Sequence, residues 1–108
     1  MADPVWERAI EAAGVEEEDV AGVMVKGHEI AIYNVKGRFF ATANVCTHQD
    51  ACLSDGFVID DEIECPLHQG RFNIATGQPR GAPVHLPLRT YPTKVVDGCV
   101  FVGLDDGD

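Results

Sequence analysis

Hydrophobic and polar residues alternate along much of the chain in short runs that glycine-containing turns interrupt. Residues 22–45, GVMVKGHEIAIYNVKGRFFATANV, are rich in β-branched and aromatic residues that recur at roughly every second position, which is the spacing of a strand with one buried face. We predict three strands here, connected by the two Lys-Gly pairs. Residues 93–104, TKVVDGCVFVGL, form two similar runs around an Asp-Gly pair, which is a strong signal for a β-hairpin.

The beginning of the chain has a different pattern. Asp3 followed by Pro4 resembles a helix start, and the stretch WERAIEAAG has a helical pattern that ends at Gly14. The local sequence therefore favours a short helix in this segment. The acidic run EEED at residues 16–19 is expected to form a solvated turn.

Residues 44–85 differ from both flanks because glycine, proline, aspartate and glutamine are frequent among them. Brief strands are predicted there only at residues 56–59, 62–64 and 71–73. A loop-rich stretch of this length is unusual in a compact domain unless something else orders it, and a metal centre would do so. The whole pattern predicts an all-β protein whose scaffold is an antiparallel sheet or a barrel-like sandwich. Residues 1–108 are expected to form one domain, with a loop-rich subdomain inserted at about 44–85.

The charge of the chain narrows the classes of partner. Eighteen acidic residues against eight lysines and arginines give a formal net charge of −10. Such a surface repels nucleic acid and anionic membranes and suits a partner with a basic docking face, although solubility alone explains the acidity equally well. No stretch approaches the roughly 18 to 20 apolar residues of a membrane span, and the N-terminus lacks the pattern of a secretory signal. We therefore expect a cytoplasmic protein, in which cysteines indicate metal more often than disulfides.

Two short boxes in the loop-rich segment carry the candidate metal ligands. Cys46 and His48 form a C-x-H box, and Cys65 and His68 form a C-x-x-H box after sixteen intervening residues. Two thiolates and two imidazoles can saturate four coordination positions, which suits structural zinc as well as an iron–sulfur cluster. Zinc fingers usually pair Cys with Cys and His with His, whereas each box here mixes the two. From the boxes alone, zinc and iron–sulfur are equally good hypotheses.

The residues around the boxes distinguish these hypotheses. The stretches CTHQDACLSDG and CPLHQGRF closely resemble the ligand boxes of Rieske proteins, in particular the small Rieske ferredoxins of aromatic-ring dioxygenase systems such as the naphthalene type. The resemblance covers nearly the whole chain, with counterparts at similar spacing for Trp6, DVAGVMVKG, FFATANVCTH, SDG, IECPLHQGRF, GAPV and TYPTKV. It implies the all-β Rieske fold, which has an antiparallel β-sandwich scaffold with an inserted cluster-binding subdomain. In this fold residues 5–10 form a strand, so we expect a strand there despite the helical pattern.

The resemblance also implies one [2Fe–2S] cluster, with Cys46 and Cys65 on one iron and His48 and His68 on the other. Two ferric ions, two sulfides and two thiolates sum to a neutral centre, whereas four thiolates would make it a dianion. An electron is added more easily to a neutral centre, which raises the potential into the Rieske range of about −150 to +300 mV.

Two departures from the respiratory Rieske proteins favour the low end of that range. Those proteins have an extra cysteine in each box, and the two form a disulfide. The matching residues here are Ala51 and Leu67. The respiratory proteins also have a serine after the second box whose hydroxyl stabilises the reduced cluster, and the matching residue here is Gly70. We therefore expect a midpoint potential of roughly −150 mV.

The remaining cysteines and histidines are not expected to bind metal. Cys52 and Cys99 are predicted to be free thiols that are buried or partly buried. His28 lies beside a predicted hairpin turn, where we expect it to be exposed. His85 follows the GAPV loop, which covers the cluster in the family, and a structural role is favoured for it. A catalytic oxygenase would need a further mononuclear iron site, usually two histidines and a carboxylate, and the chain has no separate domain for one.

The resemblance implies a soluble one-electron carrier and not an enzyme. It would take electrons from an NAD(P)H-dependent flavoprotein reductase and deliver them to a terminal ring-hydroxylating oxygenase in aromatic compound catabolism. The alternatives are the small Rieske-like subunit of a nitrite reductase or another redox complex, and a structural zinc-binding interaction module. In the family the histidine ligands lie at an exposed tip, so the docking face is expected among the uncharged neighbours of this tip, which are Gln49, Pro66, Gln69 and Pro83.

Overall fold

The computed structural model describes residues 4–46, 51–66, 70–80 and 86–104. These residues form three antiparallel sheets and two short 3₁₀ turns, at Ala12–Gly14 and Leu53–Asp55. The all-β, antiparallel fold class predicted from the sequence is therefore confirmed. The strands are β1 Val5–Glu11, β2 Asp19–Val25, β3 His28–Val35, β4 Arg38–Ala43, β5 Phe57–Ile59, β6 Glu62–Glu64, β7 Arg71–Asn73, β8 Thr90–Tyr91, β9 Thr93–Val96 and β10 Cys99–Leu104.

The four-stranded scaffold sheet has the order β2-β3-β4-β8. Its two hairpins turn at the Lys-Gly pairs, where Lys26 and Lys36 have φ of 50° and 54° and the glycines after them have φ of 84° and 85°. Two consecutive residues with positive φ are typical of type I′ turns, whose twist matches that of the flanking strands. The three strands predicted from the alternating pattern are confirmed.

The second scaffold sheet, with the order β1-β10-β9, brings the two ends of the described chain together. β1 pairs with β10 from Val5 opposite Leu104 to Glu11 opposite Cys99, with an irregularity between Arg8 and Ile10. The strand expected at residues 5–10 is thus confirmed. The helix favoured by the local pattern is wrong, because β10 supplies the backbone hydrogen-bond partners of this segment. Only the 3₁₀ turn that follows β1 retains helical character.

The central strand β3 separates two apolar cores. Ile30 and Ile32 face the core between the scaffold sheets, together with Val100 and Val102 of β10. Residues on the opposite face of β3 belong to a second core, which contains Cys46 and Cys65. Because successive side chains of a strand point to opposite faces, β3 is buried on both sides and connects the scaffold to the cysteine-bearing segment.

The inserted segment contains the third sheet, with the order β5-β6-β7. Val58, Ile63 and Phe72 lie opposite one another in register and face the second core. The three short strands predicted here are confirmed, apart from Gly56, which precedes β5. Phe72 is fully buried, whereas the side chains of Phe39 and Phe40 are half-buried against the two cores. The acidic run at residues 16–19 is exposed, and β2 begins at its last residue.

Two glycines have almost the same positive φ but different surroundings. Alanine substitutions at the two positions therefore separate the cost of backbone strain from the cost of a steric clash. Gly77 has φ of 76° and Gly98 has φ of 77°. A Cβ on Gly98 would meet nothing within 4 Å, whereas a Cβ on Gly77 would clash with the carbonyl oxygen of Leu88. We predict that Gly98→Ala lowers the free energy of unfolding by about 1 to 2 kcal/mol through strain alone. Gly77→Ala should cost about 1 to 3 kcal/mol more, because the clash adds to this strain.

Urea unfolding of the two variants and the wild type measures both losses. Equal losses for the two substitutions would contradict the close approach of Gly77 to the segment that begins at residue 86.

Candidate metal centre

Cys46 and Cys65 occupy one apolar core. Their side chains are 4% and 1% exposed, and neither forms a disulfide. Their neighbours in this core are apolar or aromatic, namely Ala31, Tyr33, Leu53, Ile63, Phe72, Ile74 and Leu88. The structure therefore brings together the two cysteines that the sequence predicted as ligands. His48 and His68 lie outside the described residues, so the complete set of four ligands stays a prediction.

The backbone of each cysteine closes a short loop. The amide of Cys46 donates to the carbonyl of Ala51 at 2.9 Å, and the amide of Cys65 donates to the carbonyl of Gly70 at 2.7 Å. In sequence, each of these loops contains the histidine of its own box. The hydrogen bonds at the two loop bases therefore fix the backbone of one cysteine in each box.

Strand pairing supports the second box from both sides. β6 leads directly into Cys65, and β7 leads directly out of Gly70, with Glu64 opposite Arg71. The amide of Arg80 donates to the carbonyl of Arg71 at 2.8 Å, which brings the chain after β7 back beside the same hairpin. Cys65 thus lies at the end of a three-stranded sheet whose inner face is buried.

The charged residues beside the second box are paired with one another. Arg71 lies 3.2 Å from Glu64 and 3.8 Å from Glu62, and Arg80 lies 3.7 Å from Glu62. The arginine side chains are about half exposed, so each pair contributes little to stability. Their main consequence is that the surface next to the second box is close to neutral, while the acids of the neighbouring turn, Asp60 and Asp61, are exposed.

A hydrogen-bonded tyrosine lies in the same core as the cysteines. The hydroxyl of Tyr33 lies 2.8 Å from Oγ1 of Thr42, and both residues are fully buried. Thr42 Oγ1 itself donates to the carbonyl of Ala43 at 2.9 Å, so Tyr33 donates and Thr42 accepts. Burial raises the pKa of Tyr33 above its usual value. The alternating pattern of β3 includes Tyr33, but it does not show which core the side chain enters.

The remaining cysteines and one of the remaining histidines lie within the described residues. Cys52 and Cys99 are half-buried and form no disulfide, which confirms the prediction for both. Nε of Arg8 donates to Sγ of Cys99 at 3.3 Å. The expectation that His28 is exposed is wrong, because it is half-buried, with its ring centroid 6.4 Å from that of Tyr91 in an edge-on arrangement. His85 lies outside the described residues.

The donor set of the described residues fits a metal centre of no net charge. As neutral thiols, cysteines lie in an apolar core without compensation, but as metal-binding thiolates they would need positive charge nearby. Two ferric ions with two sulfides supply it and leave the centre neutral. Among the described ranges, no group of three or more His, Cys, Asp and Glu side chains could hold a metal ion.

Comparison with known proteins bears directly on this centre. Residues 5–92 match the family described as the Rieske [2Fe-2S] domain. The ferredoxin component of the naphthalene 1,2-dioxygenase system of Pseudomonas putida is 46% identical over 99 residues, which cover 92% of this chain and 95% of that protein. The match identifies the cofactor as one [2Fe–2S] cluster and not zinc.

Solved structures agree with this relationship. A ferredoxin of Sphingomonas yanoikuyae B1 superposes with a TM-score of 0.89 at 37% identity, covering 94% of this chain and all of that one. A complex of reduced oxygenase and oxidized ferredoxin in carbazole 1,9a-dioxygenase matches with a TM-score of 0.86 at 36% identity, covering 93% and 94% of the chains. A putative NADH-dependent nitrite reductase small subunit from Mycobacterium tuberculosis matches at 23% identity, covering 94% and 96%, with a TM-score of 0.85, which shows the shared fold alone. Within the described ranges, none of the helical segments is long and apolar enough to span a membrane.

The raised pKa of Tyr33 predicts a contribution to stability that depends on pH. The phenol ionises near pH 10 in the unfolded chain but stays neutral to higher pH in the folded protein, because it is buried. Its contribution is therefore complete below about pH 10 and is lost as the pH rises from there towards the folded pKa. Tyr33→Phe should lower the free energy of unfolding by about 1 kcal/mol at neutral pH, through the lost hydrogen bond, and should flatten its decline above about pH 10.

Urea unfolding of both proteins across this pH range is the measurement. If wild type and variant decline with the same slope above pH 10, the buried phenol is not responsible.

Proposed function

Because the chain belongs to the Rieske [2Fe–2S] family, and within it to the ferredoxins of aromatic-ring dioxygenase systems, we propose that it is a one-electron carrier and not an enzyme. The observation that supports this most directly is the burial of Cys46 and Cys65 in one core of a Rieske fold. We treat residues 1–108 as a single domain in which the segment at about 44–85 binds the cluster.

Cys46 and Cys65 would hold one iron, and His48 and His68 would hold the other. When bound, the [2Fe–2S] cluster accepts and releases one electron. The surrounding chain positions the thiolates through their backbone amides and excludes water from them with the apolar side chains of the same core, including Leu53 and Leu88. Gly70 offers no side-chain donor to the reduced state, which supports a potential near the lower end of the Rieske range.

The relatives support the proposed oxygenase partner. The carbazole 1,9a-dioxygenase complex contains an oxygenase and a ferredoxin, and a terminal ring-hydroxylating oxygenase is accordingly proposed as the electron acceptor of this chain. The donor would be an NAD(P)H-dependent flavoprotein reductase. We place the protein in the cytoplasm, as part of aromatic compound catabolism. A nitrite reductase subunit is less supported, because that likeness extends to the fold alone.

The docking face is proposed at the tip that carries the two histidines. Pro66, directly after Cys65, is exposed, as a docking residue must be. The other three residues expected there, Gln49, Gln69 and Pro83, lie outside the described residues. Exposed acids at residues 16–19 and 60–61 would attract a basic partner from the periphery, over a range of about 10 Å at 0.1 M salt.

The cluster and its cysteine ligands can be tested with matched substitutions. We predict about two irons and two acid-labile sulfides per chain in the purified protein. Cys46→Ala and Cys65→Ala should abolish the visible absorption, because each removes an iron ligand. Cys52→Ala and Cys99→Ala, which remove the half-buried thiols, should preserve it. A colourless wild-type protein that contains one zinc would contradict the carrier function, and a coloured Cys46→Ala protein would contradict the ligand assignment.

Electron transfer tests the docking face. Gln69→Arg places a bulky charge at the proposed tip and should slow both reduction by a Rieske-dioxygenase reductase and oxidation by its oxygenase, as measured by stopped-flow mixing. The absorption spectrum and midpoint potential should change little. Gln78→Arg is the matched control, because Gln78 is exposed but belongs to neither ligand box. If Gln69→Arg reacts as fast as Gln78→Arg and wild type in both directions, docking occurs elsewhere.

A further inference from the structure

Asn44 lies where the chain leaves the scaffold sheet for the first ligand box, two residues before Cys46, and is only 6% exposed. Its backbone amide donates to the carbonyl of Glu29 at 3.0 Å, and its carbonyl accepts the amide of Leu53 at 2.7 Å. Its side chain is also used at both ends. Oδ1 accepts the amide of Ser54 at 2.8 Å, and Nδ2 donates to Oγ of Ser54 at 3.1 Å. Both ends of the side-chain amide are therefore bonded to the same serine.

We call these two hydrogen-bonded residues the Asn44–Ser54 pair. The pair joins the chain just before the first ligand box to the chain just after it. Ser54 belongs to the 3₁₀ turn that follows the box, so the pair encloses the shorter loop that the Cys46 amide closes on Ala51. Leu53, next to Ser54, is fully buried in the core that holds Cys46. The pair thus fixes both the place where the box leaves the sheet and the place where it returns.

The scaffold sheet approaches this pair at Gly22 of β2. A Cβ on Gly22 of β2 would lie 2.8 Å from Oγ of Ser54 and 2.9 Å from Nδ2 of Asn44. These distances are shorter than a carbon atom tolerates, so an alanine at position 22 would force the pair to shift. Because Gly22 has no side chain, the backbone of β2 can lie close to Asn44 and Ser54.

We propose that Asn44 is a positioning residue for the iron–sulfur centre. Its hydrogen bonds to Ser54, packed next to Gly22, hold Cys46 where it can bind iron. The inference rests on the proposed assignment of Cys46 as a ligand. Because the pair fixes the chain on both sides of the box, the backbone of Cys46 is already in position before the cluster binds. Cluster binding then costs less conformational entropy. Asparagine suits this position because one short side chain both accepts from the Ser54 amide and donates to the Ser54 hydroxyl.

Cluster release from the purified holoprotein tests the proposal. The loss of visible absorption is followed in the presence of an iron chelator, together with the visible circular dichroism of the cluster, which reports its surroundings. Asn44→Ala removes both hydrogen bonds of the pair and should release the cluster faster by about 10- to 100-fold, the effect typical of residues that orient metal ligands. Ser54→Ala removes only the bond to Oγ and should accelerate release by less. Each should also alter the dichroism. The double variant should release it no faster than Asn44→Ala, because Asn44→Ala already removes both hydrogen bonds.

Asn34→Ala is the matched control. Asn34 is 7% exposed and also has two side-chain hydrogen bonds, from Nδ2 to the carbonyl of Val15 at 2.9 Å and from the amide of Gly37 to Oδ1 at 2.9 Å. It lies at the opposite end of β3 from Glu29, whose carbonyl bonds Asn44. Asn34→Ala should lower the free energy of unfolding but leave both the release rate and the visible dichroism unchanged.

The outcomes separate the proposal from its alternatives. If Asn34→Ala accelerates release as much as Asn44→Ala, release follows global stability and the proposal is wrong. If Asn44→Ala releases its cluster at the wild-type rate while Cys46→Ala is colourless, the ligand assignment stands and only the positioning role fails. If Asn44→Ala yields no folded holoprotein, Ser54→Ala and Gly22→Ala decide by the same criteria. Gly22→Ala leaves both members of the pair in the chain and should still accelerate release.

Discussion

Cys46 and Cys65 are buried together in a single apolar core, where thiolates are costly unless a metal neutralises them. A [2Fe–2S] cluster held by two thiolates and two neutral imidazoles carries no net charge when oxidised, so it can occupy such a core. The same neutrality raises its reduction potential above that of clusters held by four cysteines. Burial, ligand set and electron-carrier chemistry are therefore aspects of one electrostatic requirement.

The scaffold meets this requirement through β3 and the strands beside it. β3 is buried on both faces, so the sheet that forms one wall of the scaffold core also forms one wall of the cysteine core. The first box is attached to this sheet through Asn44, and the second lies at the end of the β6–β7 hairpin. The acids at residues 16–19 and 60–61 are exposed, whereas Glu62 and Glu64 beside the second box are paired with Arg71 and Arg80. The exposed acids can therefore attract a basic partner at long range, while the surface beside the second box stays close to neutral.

Local signals explain how much of this could be predicted from the sequence. The Lys-Gly and Asp-Gly turns were predictable because positive φ is required at these positions, and the cysteines because their boxes have a distinctive spacing. β1 was misassigned by its local pattern, since its partner β10 lies at the other end of the described chain. Asn44 has no sequence signal of its own, because its role depends on Ser54 and Gly22 approaching in space. The two histidine ligands stay predictions.

In the proposed cluster, the two cysteines hold one iron and the two histidines hold the other. Mössbauer spectroscopy of the oxidised protein enriched in ⁵⁷Fe tests this arrangement. The quadrupole splitting and isomer shift of each iron depend on its own ligands. We expect two iron signals of equal area, one with the parameters of a sulfur-only site and one shifted by nitrogen ligation. A single signal from two equivalent irons would contradict it, because it would mean that each iron has the same ligands.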